Sequence, residues 1–247
     1  MMKIDLLRRF EEICNTEAAI SGYTSGLCGE WTKERFECLA NQLNIESSKM
    51  IMANQHHTDK VSVVGVKDAG YGIIRPHDDN YSDAMITDQT GLMLCVHTAD
   101  CVPVVLLDPV KRVVGIVHSG WVGSSKRIAG KTVRKMVEEY KSKPEDIICA
   151  MGPYNHSCCY EVGEDVFERF RESFSDRECE MLFKKKSDKD KYMLDLGSAV
   201  SLSLHQEGVK LENIYDEGCC TYHTTTFSSW RRTGERKKQM LTYIMLQ

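Results

Sequence analysis

Apolar positions along the chain fall into a small set of short runs, and their spacing separates helices from strands. In residues 32–43, Phe36, Leu39, Ala40 and Leu43 recur at helical spacing and predict a helix. Residues 125–140 predict another, with Ala129, Val133, Met136, Val137 and Tyr140 on one face. Two more are expected over 162–174 and over 198–206, the latter stopped by Gly208. The apolar stretches 50–53, 61–66, 92–96 and 147–151 are too short for helices and read as strands. Between them, residues 68–80 are rich in Gly, Asp, Pro and Asn and predict a surface loop.

Runs 102–107 and 113–117 are dominated by β-branched residues and separated by the turn formers Asp108-Pro109-Val110-Lys111-Arg112, so a hairpin is predicted. With a four-residue loop at 108–111, Leu107 faces Arg112, Val105 faces Val114, Pro103 faces Ile116 and Cys101 faces His118. Directly opposed residues share a face with Cβ atoms about 4.5–5.5 Å apart, a gap that two ligands of one metal ion can bridge. A slip of one residue would send the two side chains to opposite faces. Strands and helices mix without the regular alternation of a doubly wound fold, so the expected class is α+β with mixed β-sheets flanked by helices, in one domain spanning residues 1–247.

The hairpin gives the chemistry its focus. His57, in Gln55-His56-His57, arrives from the connection between runs 50–53 and 61–66, and with Cys101 and His118 makes three N/S ligands. A catalytic zinc site keeps three protein ligands and an open fourth position, whereas a structural site closes itself with a fourth. His56 and His57 compete for one role, because extended backbone would point them to opposite sides. His97, four residues before Cys101, is a candidate partner behind the ligands. The same residues support a rival reading, a cysteine hydrolase with Cys101 as nucleophile, His118 as base and Asp100 or His57 orienting them.

Ser119-Gly120-Trp121-Val122-Gly123 joins a strand to a helix, so its backbone N–H groups are candidates for an anion or a substrate oxygen, with Gly120, Trp121 and Gly123 as substrate-binding residues. The bland alternative is a tight turn with Trp121 as a packing anchor. Near the C-terminus, residues 224–232 combine hydroxyls, Phe227, Trp230 and the pair Arg231-Arg232, which suits a purine ring and a phosphate as well as a solvated surface. His77, His156, His205 and His223 are read as ordinary hydrogen-bonding residues.

Composition narrows the alternatives. Apolar content of 42% and charged content of 28% are ordinary for a globular chain, and a net charge of −4 offers no attraction to nucleic acid or anionic membrane. No apolar run reaches the roughly 20 residues that span a bilayer, and Met1-Met2-Lys3-Ile4-Asp5 lacks a signal-peptide core, so the expected compartment is the cytoplasm. The eleven cysteines are scattered, and most are expected to be reduced, buried, small apolar residues. The pairs Cys158-Cys159 and Cys219-Cys220 lack Cys-x-x-Cys spacing and are read in the same way.

An ordered set of segments resembles the family of bacterial YfiH-type proteins and animal laccase-domain-containing proteins. These were once labelled multicopper polyphenol oxidases and are now associated with purine nucleoside phosphorylase and adenosine deaminase activities. The set comprises Gly22-Tyr23-Thr24, Gln55-His56-His57, Ser82-Asp83-Ala84, Thr98-Ala99-Asp100-Cys101-Val102-Pro103, His118-Ser119-Gly120-Trp121, Met151-Gly152-Pro153, Cys158-Cys159-Tyr160-Glu161-Val162-Gly163 and Arg231-Arg232. The resemblance implies zinc held by His57, Cys101 and His118, with His57 chosen over His56, in a sandwich related to toxin domains with a Cys-His pair. It also implies phosphorolysis of adenosine, inosine, guanosine and methylthioadenosine, and hydrolytic deamination of adenosine. Purine nucleosides and phosphate are the expected partners, copper is a possible occupant in vitro, and Asp100 is the candidate for proton transfer. Val122 stands where the family usually has Arg, and Thr233-Gly234-Glu235 departs from its C-terminal Thr-Gly-Arg, so phosphorolysis is less secure than deamination unless Lys126, Arg231 or Lys238 substitutes. One compact triad without His-x-His clusters cannot build the several copper centres of a true laccase.

Overall fold

The apolar runs at 50–53, 92–96, 102–107 and 113–117 become strands buried on both faces, which is why they read as nearly continuous rather than alternating, whereas the run at 61–66 gives a half-buried edge strand. The structure, a computed structural model, describes residues 6–8, 10–77, 81–187, 190–235 and 237–247. Met1 to Asp5, the Asp78 to Asn80 end of the predicted loop, and Arg236 lie outside the described residues. The first part of the chain forms β1 (Leu6–Arg8), α1 (Glu11–Cys14), β2 (Ala19–Thr24), α2 (Lys33–Gln42), β3 (Met50–Met52), β4 (Val61–Val63) and β5 (Ala84–Thr87). The central part forms β6 (Met93–Thr98), β7 (Val102–Asp108), β8 (Val113–Ser119), α3 (Trp121–Ser125), α4 (Ile128–Tyr140) and β9 (Ile148–Met151). The remainder supplies β10 (Glu161–Gly163), α5 (Glu164–Arg171), α6 (Asp176–Leu182), β11 (Phe183–Lys185), β12 (Lys191–Leu194), α7 (Leu196–Gln206), β13 (Ile214–Asp216), α8 (Trp230–Thr233) and β14 (Met240–Leu246).

Two mixed sheets stack face to face. One runs in the order β1-β2-β14-β6-β3 and the other β13-β9-β7-β8-β5-β4, while β10-β12-β11 form a small third sheet. Strand periodicity partitions their residues into three cores. Leu94 and Val96 of β6, Ile244 of β14, and Val105, Leu107, Val114 and Ile116 of the hairpin pack together between the two large sheets. The alternate residues Met93, Cys95, Leu241 and Tyr243 turn outward to Phe36, Leu39 and Ala40 of α2. On the far side, Val104, Leu106, Val113 and Val117 meet Ala129, Val133 and Met136 of α4, together with Leu196, Ala199 and Val200 of α7. The result is the predicted α+β class, a layered sandwich with helices outside mixed sheets. No described helix is long and apolar enough to cross a membrane.

The predicted hairpin exists, but its register differs. Asp108 pairs with Val113 and Pro103 pairs with His118, so the loop is 109–112 rather than 108–111, and Cys101 does not face His118. The cause is the Asp108 side chain, whose Oδ1 accepts the N–H groups of Val110 and Lys111, each at 2.9 Å. That short-range bond holds Asp108 in the strand and moves the turn one residue along, closed by Arg112 at φ 54°. The displacement along the partner strand is two residues, so parity survives: Cys101, Pro103 and His118 remain on one face, with Cys101 and His118 as diagonal neighbours.

Element limits shift for local reasons. The helix expected over 125–140 is interrupted at Arg127, whose φ of 59° breaks the ladder between α3 and α4. The run 61–66 stops as a strand at Val63 and turns at Val66–Asp68, while Val162 joins β10 rather than α5.

Candidate metal centre

Strand β5 runs antiparallel to β8 with Ala84 opposite Val117. The next pair along the same ladder is Asp83 and His118, and the N–H of His118 donates to the Asp83 carbonyl at 2.7 Å. Their side chains therefore share a face, and His118 Nδ1 lies 2.8 Å from Asp83 Oδ1. Asp83 is fully buried, and its carboxylate also accepts the backbone N–H groups of His56 at 3.2 Å, His57 at 3.0 Å and Thr58 at 2.6 Å. One carboxylate thus orients the imidazole and bends residues 56–58 around itself. His57 takes φ 56° in this bend, so a turn, not the alternation of an extended strand, separates its side chain from that of His56. His56 instead packs on Tyr81, with ring centroids 4.1 Å apart.

The arrangement brings one ligand atom from each of His57, Cys101 and His118 within 4.8 Å of one another. Gly120 makes this approach possible, since a Cβ there would lie 2.7 Å from His57 Nδ1 and 3.0 Å from Cys101 Sγ. Its contribution is vacant space beside two ligands. A helix N-terminus for an anion is not built here, because α3 is a single short turn of five residues. Gly123 faces Ile128 and the carbonyl of Thr58, and Trp121 packs against the outer core, as a turn with an aromatic anchor would.

Electrostatics tie the site together. Burial by itself would raise the Asp83 pKa, but the hydrogen bonds from His118 and Thr58 hold it down to about 2. Burial would lower His118, yet the neighbouring Cys101 sulfur and the Asp83 carboxylate raise it to about 9 in the metal-free chain. His57 is lowered, first by burial and then by the charge on His118. Two imidazoles and a thiol fit a zinc or copper ion, three protein ligands leave a position open, and a carboxylate on the far nitrogen of His118 is the support that metal-bound histidines use.

The other predicted residues are placed differently. Asp100, at φ 87° and buried, accepts the Thr221 hydroxyl on Oδ1 at 2.6 Å and the Arg231 backbone N–H on Oδ2 at 2.6 Å. With both oxygens engaged, it shapes the turn before Cys101 rather than standing free for proton transfer. Arg231 donates from Nη1 to the Glu161 carbonyl at 2.7 Å and lies over the Tyr160 ring. Arg232 is spent on carbonyls, donating to Tyr222 at 2.9 Å and to Phe227 at 2.6 Å, so it clamps its own loop instead of facing a phosphate. Lys126 pairs with Asp59 at 3.2 Å and Lys238 with Glu235 at 2.8 Å, so neither is a free replacement for the missing arginine. The His97 ring lies beside Trp31 and Phe36, and burial lowers its pKa to about 3. It supports the site through its backbone, which exchanges two 2.8 Å hydrogen bonds with the Gln55 amide.

Asp83 is the residue that reasoning from spacing missed. Its place three residues before the β-branched Ile86, at the mouth of a strand, was the available signal. Among the ten cysteines whose side chains are described, all are free thiols and Cys95, Cys149 and Cys179 are buried, fewer than expected. A recess of about 440 Å³ lies among Asn54, Lys60, Tyr71, His77 and Tyr81. None of the triad lines it, so the chemistry is assigned by donor atoms and not by cavity size.

With fold and site in view, the class is that of YfiH-like sandwich proteins. The chain belongs to the multi-copper polyphenol oxidoreductase laccase family, whose model matches residues 28–247. It is 31% identical over 210 residues to the purine nucleoside phosphorylase YlmD of Bacillus subtilis, covering 84% of this chain and 74% of that one. It is also 31% identical over 212 residues to the adenosine deaminase RL5 of an unknown prokaryotic organism, covering 83% and 78%. The crystal structure of the Bacillus licheniformis hypothetical protein YfiH superposes with a TM-score of 0.86 at 27% identity, covering 93% of each chain. Family membership implies metal binding, and the His/Cys triad is a candidate place for it.

Proposed function

We propose that this chain is a zinc-dependent purine nucleoside enzyme. Its reactions would be phosphorolysis of adenosine, inosine, guanosine and methylthioadenosine to free base and sugar 1-phosphate, and hydrolytic deamination of adenosine to inosine. The observation that carries the reading is the convergence of His57, Cys101 and His118 in front of the buried Asp83, in a chain whose relatives bear both activity names. His57, Cys101 and His118 would hold the ion. A bound zinc would supply a Lewis acid with an open coordination position.

The chain's own residues do the positioning. Asp83 keeps the Nδ1 proton of His118, which turns the other ring nitrogen toward Cys101 and His57. Asp100, held by Thr221 and Arg231, fixes the turn that presents Cys101. Gly120 would line the neighbouring wall where we place the nucleoside, with Trp121 and Gly123 building the turn behind it and Arg231 rather than Arg232 as the cation on that side. Val122 and the partnered Lys126 and Lys238 leave no free cation for phosphate among these positions, which favours deamination over phosphorolysis.

A second reading has one observation in its favour. Asp83, His118 and Cys101 stand in the order of an Asp-His-Cys relay, with Asp83 in the orienting place. The two readings separate by inhibitor: chelation abolishes activity in the first, thiol alkylation of metal-free protein in the second. The test of the main reading is incubation of metal-analysed protein with adenosine, with and without phosphate. Inosine in both conditions, and adenine with ribose 1-phosphate only when phosphate is present, are expected. Absence of all three products from zinc-loaded protein overturns the reading.

A further inference from the structure

A second group of ligands lies outside the triad. Cys158 and Cys159 come from the turn before β10, and Cys220 and His223 from the loop before α8, and their four ligand atoms all lie within 4.8 Å of one another. Cys158 Sγ is 3.9 Å from Cys220 Sγ and 3.5 Å from Cys159 Sγ, and Cys159 Sγ is 3.0 Å from His223 Nε2. A tetrahedron with Zn–S bonds of about 2.3 Å has sulfur–sulfur edges of about 3.8 Å, close to the two sulfur–sulfur gaps here. All three cysteines are free thiols, and a disulfide between any two would leave the imidazole without a task.

Two features show that the cluster is built. The strands of chain that carry it are fastened together, with Thr221 N–H donating to Tyr154 O at 2.9 Å and Tyr154 N–H to Cys219 O at 3.3 Å. Cys220 and His223 come from one short segment, the Cys-x-x-His turn Cys220-Thr221-Tyr222-His223, closed by the Thr224 N–H donating to the Cys220 carbonyl at 3.1 Å.

We infer that Cys158, Cys159, Cys220 and His223 form a second, closed Cys₃His zinc site whose role is structural. Four protein ligands leave no open position, in contrast to the triad. Its mechanical effect follows from Thr221, which sits between two of the ligands and donates to Asp100, the residue before Cys101. The ion would therefore pin the loop that shapes the turn presenting Cys101. The cluster reading does not depend on nucleoside chemistry.

The experiment is zinc stoichiometry of the full chain, purified and loaded under reductant. Two equivalents are expected for the unaltered protein, one for His223→Ala, one for Cys220→Ser, and one for the triad variant Cys101→Ala/His118→Ala. Cobalt in place of zinc in that triad variant is expected to show intense tetrahedral bands with thiolate charge transfer. Mass spectrometry after alkylation needs no variant: zinc is expected to protect Cys158, Cys159 and Cys220 of the unaltered protein. A triad variant that binds no zinc, equal stoichiometry in His223→Ala and unaltered protein, or unprotected thiols in zinc-loaded protein would each overturn the site.

Discussion

The two ligand clusters are built from different material. The triad draws Cys101 and His118 from the ends of β7 and β8, strands buried along their whole length, and His57 from a bend wrapped around a buried carboxylate. The Cys₃His cluster sits on turns, with Cys158 and His223 exposed. A catalytic position benefits from ligands that cannot move, whereas a cross-link does most where the chain would otherwise be loose. The difference also separates their chemistry, three donors with a vacancy in one case and four without in the other.

The largest expected effect that sharpens this contrast is on the triad itself. Cys101→Ala and His118→Ala should each lower nucleoside turnover by more than about a hundredfold, beyond the 10–100-fold scale of losing a supporting residue, with loss of one metal equivalent. A fully active, zinc-free Cys101→Ala protein would refute the site. Next is Gly120→Ala, whose Cβ would meet His57 Nδ1 at 2.7 Å and Cys101 Sγ at 3.0 Å. Calorimetric metal titration should show triad affinity falling by about tenfold or more, with an unchanged far-ultraviolet spectrum and an unchanged second equivalent. Unaltered triad affinity in this variant would mean that the ligands meet elsewhere.

Acidity provides the third test. Metal must displace the proton on His118, so with its pKa raised to about 9 the apparent triad affinity should climb with pH up to about 9 and then level off. In the metal-free protein the sign is opposite. The charged pair with Asp83 stabilises fully below the unfolded histidine value of about 6.5, and that contribution is lost as pH rises through about 9. Asp83→Asn should move both transitions to lower pH, and affinity that levels off near pH 6.5 in the unaltered protein would remove Cys101 and Asp83 as the cause.

The smallest effect concerns the register. Asp108→Ala removes the acceptor for Val110 and Lys111 and should cost about 1–2 kcal/mol in denaturant unfolding without loss of triad metal. Loss of metal in that variant would show that the turn, and not the paired strands, fixes the ligands.

These features were unequally legible in the sequence. The hairpin could be read because both runs are β-branched and bounded by turn formers, and the shared face of Cys101 and His118 followed from strand parity. The pairing itself was misread by two residues, because one side-chain hydrogen bond at Asp108 decides between two loops that composition cannot separate. Asp83 was invisible as a supporting group until β5 was known to lie beside β8. The cysteine cluster was missed because vicinal cysteines and a Cys-x-x-His turn are each unremarkable alone, and their meeting depends on the bridge between Tyr154 and Cys220. Arg231 and Arg232 looked alike in sequence, and only the carbonyls around the second reveal it as a clamp.

The position of β14 has a consequence for the order in which the molecule can be made. Residues 240–246 form the middle strand of their sheet, paired with residues 19–24 on one side and 93–98 on the other. During synthesis both neighbours emerge long before the strand that joins them, and each presents an unpaired edge in the meantime. The sandwich between the sheets can therefore close only when the ribosome has passed residue 246. Stalled or shortened chains should be conspicuous clients of the chaperone system rather than slightly weakened versions of the same protein.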